Sequence, residues 1–156
     1  MPDNATNTPA TETTPNREYL VSRFIATRSQ TEEIAARLSV EDQQVQSMPD
    51  VSPTKWHLAH VTWFFETFIL KPHAAEYVEF DPAFNYLFNS YYEAVGPRHA
   101  RPDRGLLTRP SNAEVMAYRA HIDRAVCDFM NSSDDETFAA AAGLLELGLH
   151  HEQQHQ

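Results

Sequence analysis

An all-helical chain, built as a four-helix bundle with one long connection between its second and third helices, is the fold class this sequence predicts. Three observations carry it. Only four of the 156 residues are glycine, and few stretches alternate apolar with polar, so turns and strands are poorly supplied. Apolar residues instead recur three and four apart, the spacing that stripes one face of a helix. Helix-start residues stand ahead of those stripes.

Residues 1–16 (MPDNATNTPATETTPN) are rich in Thr, Pro and Asn and have little to bury, which predicts a disordered tail. A single domain is expected over residues 17–156. Its first helix covers residues 17 to about 38, with Tyr19, Leu20, Phe24, Ile34, Ala35 and Leu38 as the apolar positions. A shorter helical piece over 40–47 follows. Ser52 ahead of Pro53 reads as an N-cap with proline at the first helical position. The segment it opens is apolar almost all round, so most of its sides should be buried; Pro72 closes it after about residue 70. Residues 81–95 are aromatic-rich and contain a helix, and residues 96–110 form a basic, proline-rich loop. Ser111 with Glu114 makes a capping box that opens the third main helix, running to about residue 130. After a polar turn at 131–135, a fourth helix continues to the chain end. No internal repeat is present.

The composition, 42 % apolar and 22 % charged, fits a soluble globular domain. The net charge of −10 argues against nucleic acid or an anionic membrane as partner, since both need a basic surface. No apolar run approaches the length of a membrane span. One cysteine, Cys127, excludes an intramolecular disulfide; with no hydrophobic signal segment, a reducing, cytoplasmic setting is expected.

The chemistry concentrates in the last six residues, HEQQHQ. His151 and His155 are four apart on a helix, which puts both imidazoles on one face and lets them share a divalent metal ion. They continue the stripe of Leu144 and Leu147, with Leu145 and Leu149 beside it, so they should point inward rather than toward the glutamate-bearing face. On the second helix Trp56, His60, Trp63, Phe64 and Thr67 share a face, which aims His60 into the same interior. His57 lies about 60° away on a helical projection. Three histidines from two helices can close a metal site in a bundle core. Left without metal, several buried imidazoles would keep unpaired nitrogens, each costing about 1–3 kcal/mol. His73, His99 and His121 fit no such pattern and read as surface residues, and His150 as exposed or adjacent to the site.

HEQQH also matches the zinc-protease pattern, with Glu152 as the general base. Two features count against that reading. Only one residue remains for a third ligand downstream, and no convincing strand is available to align a peptide.

Beyond these residues, the strings SPTKWHLAHVTWFFETFIL, FNSYYEAVGPRHARPDRGLLTRP and HHEQQHQ, in this order, resemble the N-terminal DinB-like domain of the ergothioneine biosynthesis sulfoxide synthases, the EgtB family. The resemblance runs from about residue 17 to the end. It implies a DinB-like bundle and a non-haem iron(II) centre that uses O2 to join the sulfur of γ-glutamylcysteine or cysteine to hercynine as a sulfoxide. Carried over, the iron ligands are His60, His151 and His155, the trio that the helix faces also select. A basic R-x-x-R segment of the family, holding the thiol substrate's carboxylates, maps best to Arg101 and Arg104, with Arg98 as a third candidate. The bland alternative is a solvated basic loop. The family continues into a C-terminal domain like the formylglycine-generating enzymes, and no counterpart is present here. The chain therefore looks truncated, and alone it is expected to be inactive or nearly so. Two other readings stay open: a DinB-like thiol transferase using zinc or nickel, and a non-catalytic metal-binding helical bundle.

Overall fold

The computed structural model describes residues 16–90 and 93–156. The expected tail lies outside the described residues except for Asn16, whose side chain caps the first helix by accepting from the N–H groups of Glu18 and Tyr19. In chain order the helices are α1 (Arg17–Ala35), α2 (Val40–Gln44), α3 (Thr54–Phe65), α4 (Lys71–His73), α5 (Ala83–Phe88), α6 (Asn112–Ser132) and α7 (Asp135–His155). A π-helical turn, Glu66–Leu70, joins α3 to α4, and 3-10 turns occupy Glu93–Val95 and Arg101–Leu106. No strand occurs among the described residues.

The four long helices pack in a ring: α1 against α7, α7 against α3, α3 against α6, and α6 against α1. The connection from α4 to α6 is the long one expected, and it carries α5 and the 3-10 turn at 101–106. The all-helical bundle is therefore as predicted, with several local revisions. Ser52 is not the N-cap of α3: Pro53 occupies that position and no side chain caps the helix. Pro72 sits inside the last turn instead of closing the helix before it. In α1 the buried residues are Leu20, Phe24, Thr27, Arg28 and Ala35, whereas Tyr19, Ile34 and Leu38 are exposed. The buried register therefore includes an arginine.

That arginine belongs to a polar node reaching all four long helices. Arg28 (α1) donates to Glu152 (α7) at 2.9 Å, to Asp123 (α6) at 2.6 Å and to the Thr62 hydroxyl (α3) at 2.8 Å. Arg119 (α6) reaches the other oxygen of Glu152 at 3.3 Å and the Leu58 carbonyl at 3.2 Å, and Thr31 donates to Glu152 at 2.7 Å. Buried charges survive only when paired and hydrogen-bonded, and here both oxygens of Glu152 and both guanidinium groups have partners.

Apolar packing surrounds the node. Phe24, Trp63, Phe64, Phe65, Tyr118 and Ile122 are fully enclosed. α7 reaches α3 closely through Gly148, where a Cβ would lie 2.6 Å from the Phe65 ring. At the π turn, the Glu66 carboxylate accepts from the Tyr77 hydroxyl at 2.5 Å, from the Phe80 N–H at 2.8 Å and from the Tyr118 hydroxyl. It thereby fastens the start of the long connection to the core. No described helix is long and apolar enough to cross a membrane.

Candidate metal centre

The site is assembled by three elements. α3 and α7 supply imidazoles, and α5 supplies a carbonyl that orients one of them. α5 is held on α3 by two indoles: Trp56 Nε1 donates to the Leu87 carbonyl at 2.9 Å and Trp63 Nε1 to Asn85 Oδ1 at 3.0 Å. The last carbonyls of a helix have no partner within it. The one at Phe88 receives the Nδ1–H of His60 at 2.6 Å. His60 Nε2 is therefore a lone pair.

His60, His151 and His155 converge, each offering one ring nitrogen, with these nitrogens all within 4.8 Å of one another. Nε2 of His151 lies 3.1 Å from Nε2 of His60 and 3.1 Å from Nε2 of His155. Metal–imidazole bonds of about 2.0–2.1 Å at a right angle separate two ligand nitrogens by about 3 Å, so the donor set fits a single ion. Protons alone satisfy the arrangement poorly. His60 Nε2 can only accept, and a single N–H on His151 Nε2 can serve only one of its two neighbours.

Burial keeps these rings neutral, the form that binds metal. Desolvation pushes His60 well below the ordinary histidine range, with His151 and His155 adding repulsion. His151 falls to about 4 through desolvation and the neighbouring His155. His155 is lowered chiefly by desolvation. His57, at about 4, is held down by desolvation and by His155, Arg104 and Arg101.

The histidines stand at the base of a cleft of about 570 Å³, lined also by Ser52, Trp56, His57, Ser90, Arg101, Arg104 and Gln154. That is room for a small organic molecule beside an ion. Arg104 is 4 % exposed. Its guanidinium lies 3.5 Å over the Trp56 ring and donates to Ser52 Oγ at 2.8 Å and Ser90 Oγ at 3.4 Å, while its Nε has no partner. Trp56 in turn stacks on His60 at 4.5 Å and 14°. Among the described residues Arg104 has no carboxylate partner, and desolvation together with Arg101 and Arg98 lowers it to about 10. A buried guanidinium with two neutral partners retains unmet capacity for an anion.

Of the residues expected from sequence, His60, His151, His155, Arg101 and Arg104 share this cleft. Arg98 is exposed and does not line it. His150 is exposed, and His99 faces the Asp103 carbonyl. His121, expected at the surface, is half-buried against Tyr77 and Phe80. Leu147, expected on the inward stripe of α7, is exposed; the buried stripe is Ala141, Leu145, Gly148, Leu149 and Glu152, and the histidine pair lies at its margin, where the cleft opens. Glu152, weighed from sequence as a zinc-protease general base, is wholly buried in the Arg28–Arg119 node. It is thus committed away from the histidines, which removes the general base a zinc-protease reading needs.

Sequence reasoning did not find that Ser52 and Ser90 hold the Arg104 guanidinium, or the outer contact of His57. Ser52 looked like a helix cap, and nothing local marks Ser90.

The chain matches no curated protein. A family model described as the DinB superfamily matches residues 23–156, a span holding α2 to α7, most of α1, and all three converging histidines. With most of its length covered by that match, the chain belongs to the DinB superfamily, a metal-binding helical family.

Proposed function

We propose that this domain is the iron-binding part of an O2-dependent sulfoxide synthase that joins a cysteine-containing thiol, γ-glutamylcysteine or cysteine, to hercynine. The observation that carries the reading is one cleft holding both a convergent three-histidine set and a buried arginine that has no acidic partner among the described residues. Iron(II) held by His60, His151 and His155 supplies the redox chemistry. In balance, a ring C–H and a thiol S–H are consumed with one O2 to give a C–S bond, an S=O group and one water. The chain's own residues bind and orient. The three imidazoles, drawn from α3 and α7 and lining the cleft, would hold the ion there. Arg104, with Arg101 at the rim, takes the carboxylate of the thiol substrate. The Trp56 ring between Arg104 and His60 sets the spacing from carboxylate to metal.

The superfamily match supports metal binding in general, and the blocks quoted from the sequence favour iron and C–S bond formation over the other metal-dependent reactions. The test is anaerobic loading of the chain with iron(II), followed by titration with γ-glutamylcysteine. One iron per chain is expected, lost in His60→Ala and in His151→Ala. Arg104→Gln should keep the iron and weaken thiol binding roughly 10- to 100-fold, the range for a lost charge-assisted hydrogen-bond pair. Retention of zinc or nickel with rejection of iron(II) would favour the thiol-transferase reading. Thiol binding unchanged in Arg104→Gln would remove the carboxylate role.

A further inference from the structure

The three converging imidazoles differ in what holds their outer nitrogens. His60 Nδ1 donates to a backbone carbonyl. His151 Nδ1 is buried without a hydrogen-bond partner. His155 Nδ1 lies 2.8 Å from Nδ1 of His57, a residue on α3 three positions before His60. The two rings are tilted by 52° with centroids 5.0 Å apart.

We propose that His57 is a positioning residue for the metal centre: its Nδ1 accepts the Nδ1–H of His155 and so fixes the tautomer and rotation of that ligand. The inference rests on the reading that the three histidines hold a metal ion. If Nε2 of His155 is to present a lone pair beside His151 Nε2, its one proton must sit on Nδ1. Among the described residues, the group that stands against that Nδ1 is the ring nitrogen of His57, which must then be the acceptor and carry its own proton on Nε2. Metal-bound histidines ordinarily give this outer proton to a carboxylate, a carbonyl or water. A neutral imidazole is a weaker acceptor than a carboxylate, and it adds no negative charge to a cleft that also holds Arg101 and Arg104.

The position explains why such a brace is useful. His155 stands on α7, while its companion His60 stands on α3. The backbone there is held sideways by Gln156, which donates to the Thr27 carbonyl at 3.1 Å and to the Thr31 hydroxyl at 2.9 Å. Those bonds place the backbone beside His155 and do not themselves set the rotation of its ring. His57 supplies the missing restraint from the helix that also carries His60. One turn of α3 therefore provides one ligand and the orientation of another.

The experiment uses cobalt(II) as a probe metal on the full chain and compares wild type with His57→Asn and His57→Phe. Asn places an amide oxygen close to where Nδ1 stands; Phe keeps ring volume and removes the acceptor. Circular dichroism first establishes equal helicity. Cobalt affinity is expected to fall about 10- to 100-fold in His57→Phe, the usual cost of losing an outer hydrogen-bond partner, and to recover to within about threefold in His57→Asn. Proton NMR of the cobalt-loaded protein gives a readout that simple packing would not move. The shifted, exchangeable N–H signal of His155 should persist in wild type and His57→Asn and be lost to solvent exchange in His57→Phe. Equal affinity and an unchanged signal in His57→Phe would overturn the proposal, as would a His57→Asn variant as weak as His57→Phe. Wild type binding no cobalt at one per chain would instead overturn the metal reading beneath it.

Discussion

At the scale of single residues, the same motif holds groups with opposite duties. In HEQQH, His151 and His155 face the cleft while Glu152, between them in sequence, is turned 100° away into the Arg28–Arg119 node. Removing its charge leaves two buried guanidinium groups without their shared carboxylate. Glu152→Gln is expected to lose about 3–5 kcal/mol of stability, read from urea unfolding, because an unpaired buried charge costs more than the pair contributed. A loss below about 1 kcal/mol would show that Glu152 is not the keystone of the node. His60 was legible in sequence from the apolar face of α3 that it shares with Trp56, Trp63 and Phe64, and the His151/His155 pair from its spacing of four, although the stripe drawn through Leu147 was not the buried one. Glu152 was not legible, since helical phase alone cannot tell a solvated acid from one paired across the bundle. Arg28 and Arg119 did leave a trace: each falls in register with buried apolar residues, Phe24 before Arg28 and Val115 and Ile122 around Arg119. Arg104 was reached only through the family resemblance, because by itself a basic loop reads as solvated until the Trp56 ring and two hydroxyls are seen to enclose it.

At the scale of elements, caps and periodicity recovered the long helices, and the errors fell where tertiary contacts override local signals. Ser111 and Glu114 form the expected capping box, and α6 begins there. Ser52 had an equally good local signature, but its hydroxyl accepts from Arg104 instead. The π turn at Glu66–Leu70 had no sequence signature; it accompanies the Glu66 carboxylate's bonds to Tyr77, Tyr118 and Phe80. For α7, Asp134 accepts the N–H of Thr137 at 2.8 Å, and that bond, chiefly, lowers its carboxyl pKa. A carboxyl lowered on folding contributes stability that is present above its unfolded value and lost as pH falls through its folded one. Asp134→Asn keeps an acceptor at the cap and removes the titration. Wild type should therefore exceed Asp134→Asn in urea midpoint at pH 7, and the gap should close as pH falls from about 5 to 3, the range of an ordinary aspartate and below. A gap that stays constant with pH would mean that the charge at this helix start contributes nothing.

At the scale of the whole molecule, the candidate metal centre brings together parts that are distant in sequence but already held together by other contacts. α3 and α7 pack through Gly148 against Phe65, and the central ion-pair node crosses all four long helices. His60 also ties α5, and so the long connection, to the cleft through the Phe88 carbonyl. The domain should accordingly fold without metal, unlike small zinc modules whose fold depends on the ion. Metal should then add stability only by binding the folded state preferentially. At a free metal concentration 100 times the dissociation constant, that gain is about 2.7 kcal/mol. For a chain of this size each kcal/mol moves the melting temperature by roughly 2–4 °C, so saturating iron(II) under anaerobic conditions should raise it by about 5–10 °C. Chelation should return it to the starting value with helicity retained below the transition. The rise should vanish in His60→Ala and His151→Ala while the fold persists, because the α3–α7 packing and the central node remain intact in both. Unfolding on chelation would instead mean that the apolar core and the ion-pair node do not hold the bundle without the metal. An undiminished rise in both variants would place the metal somewhere other than between α3 and α7.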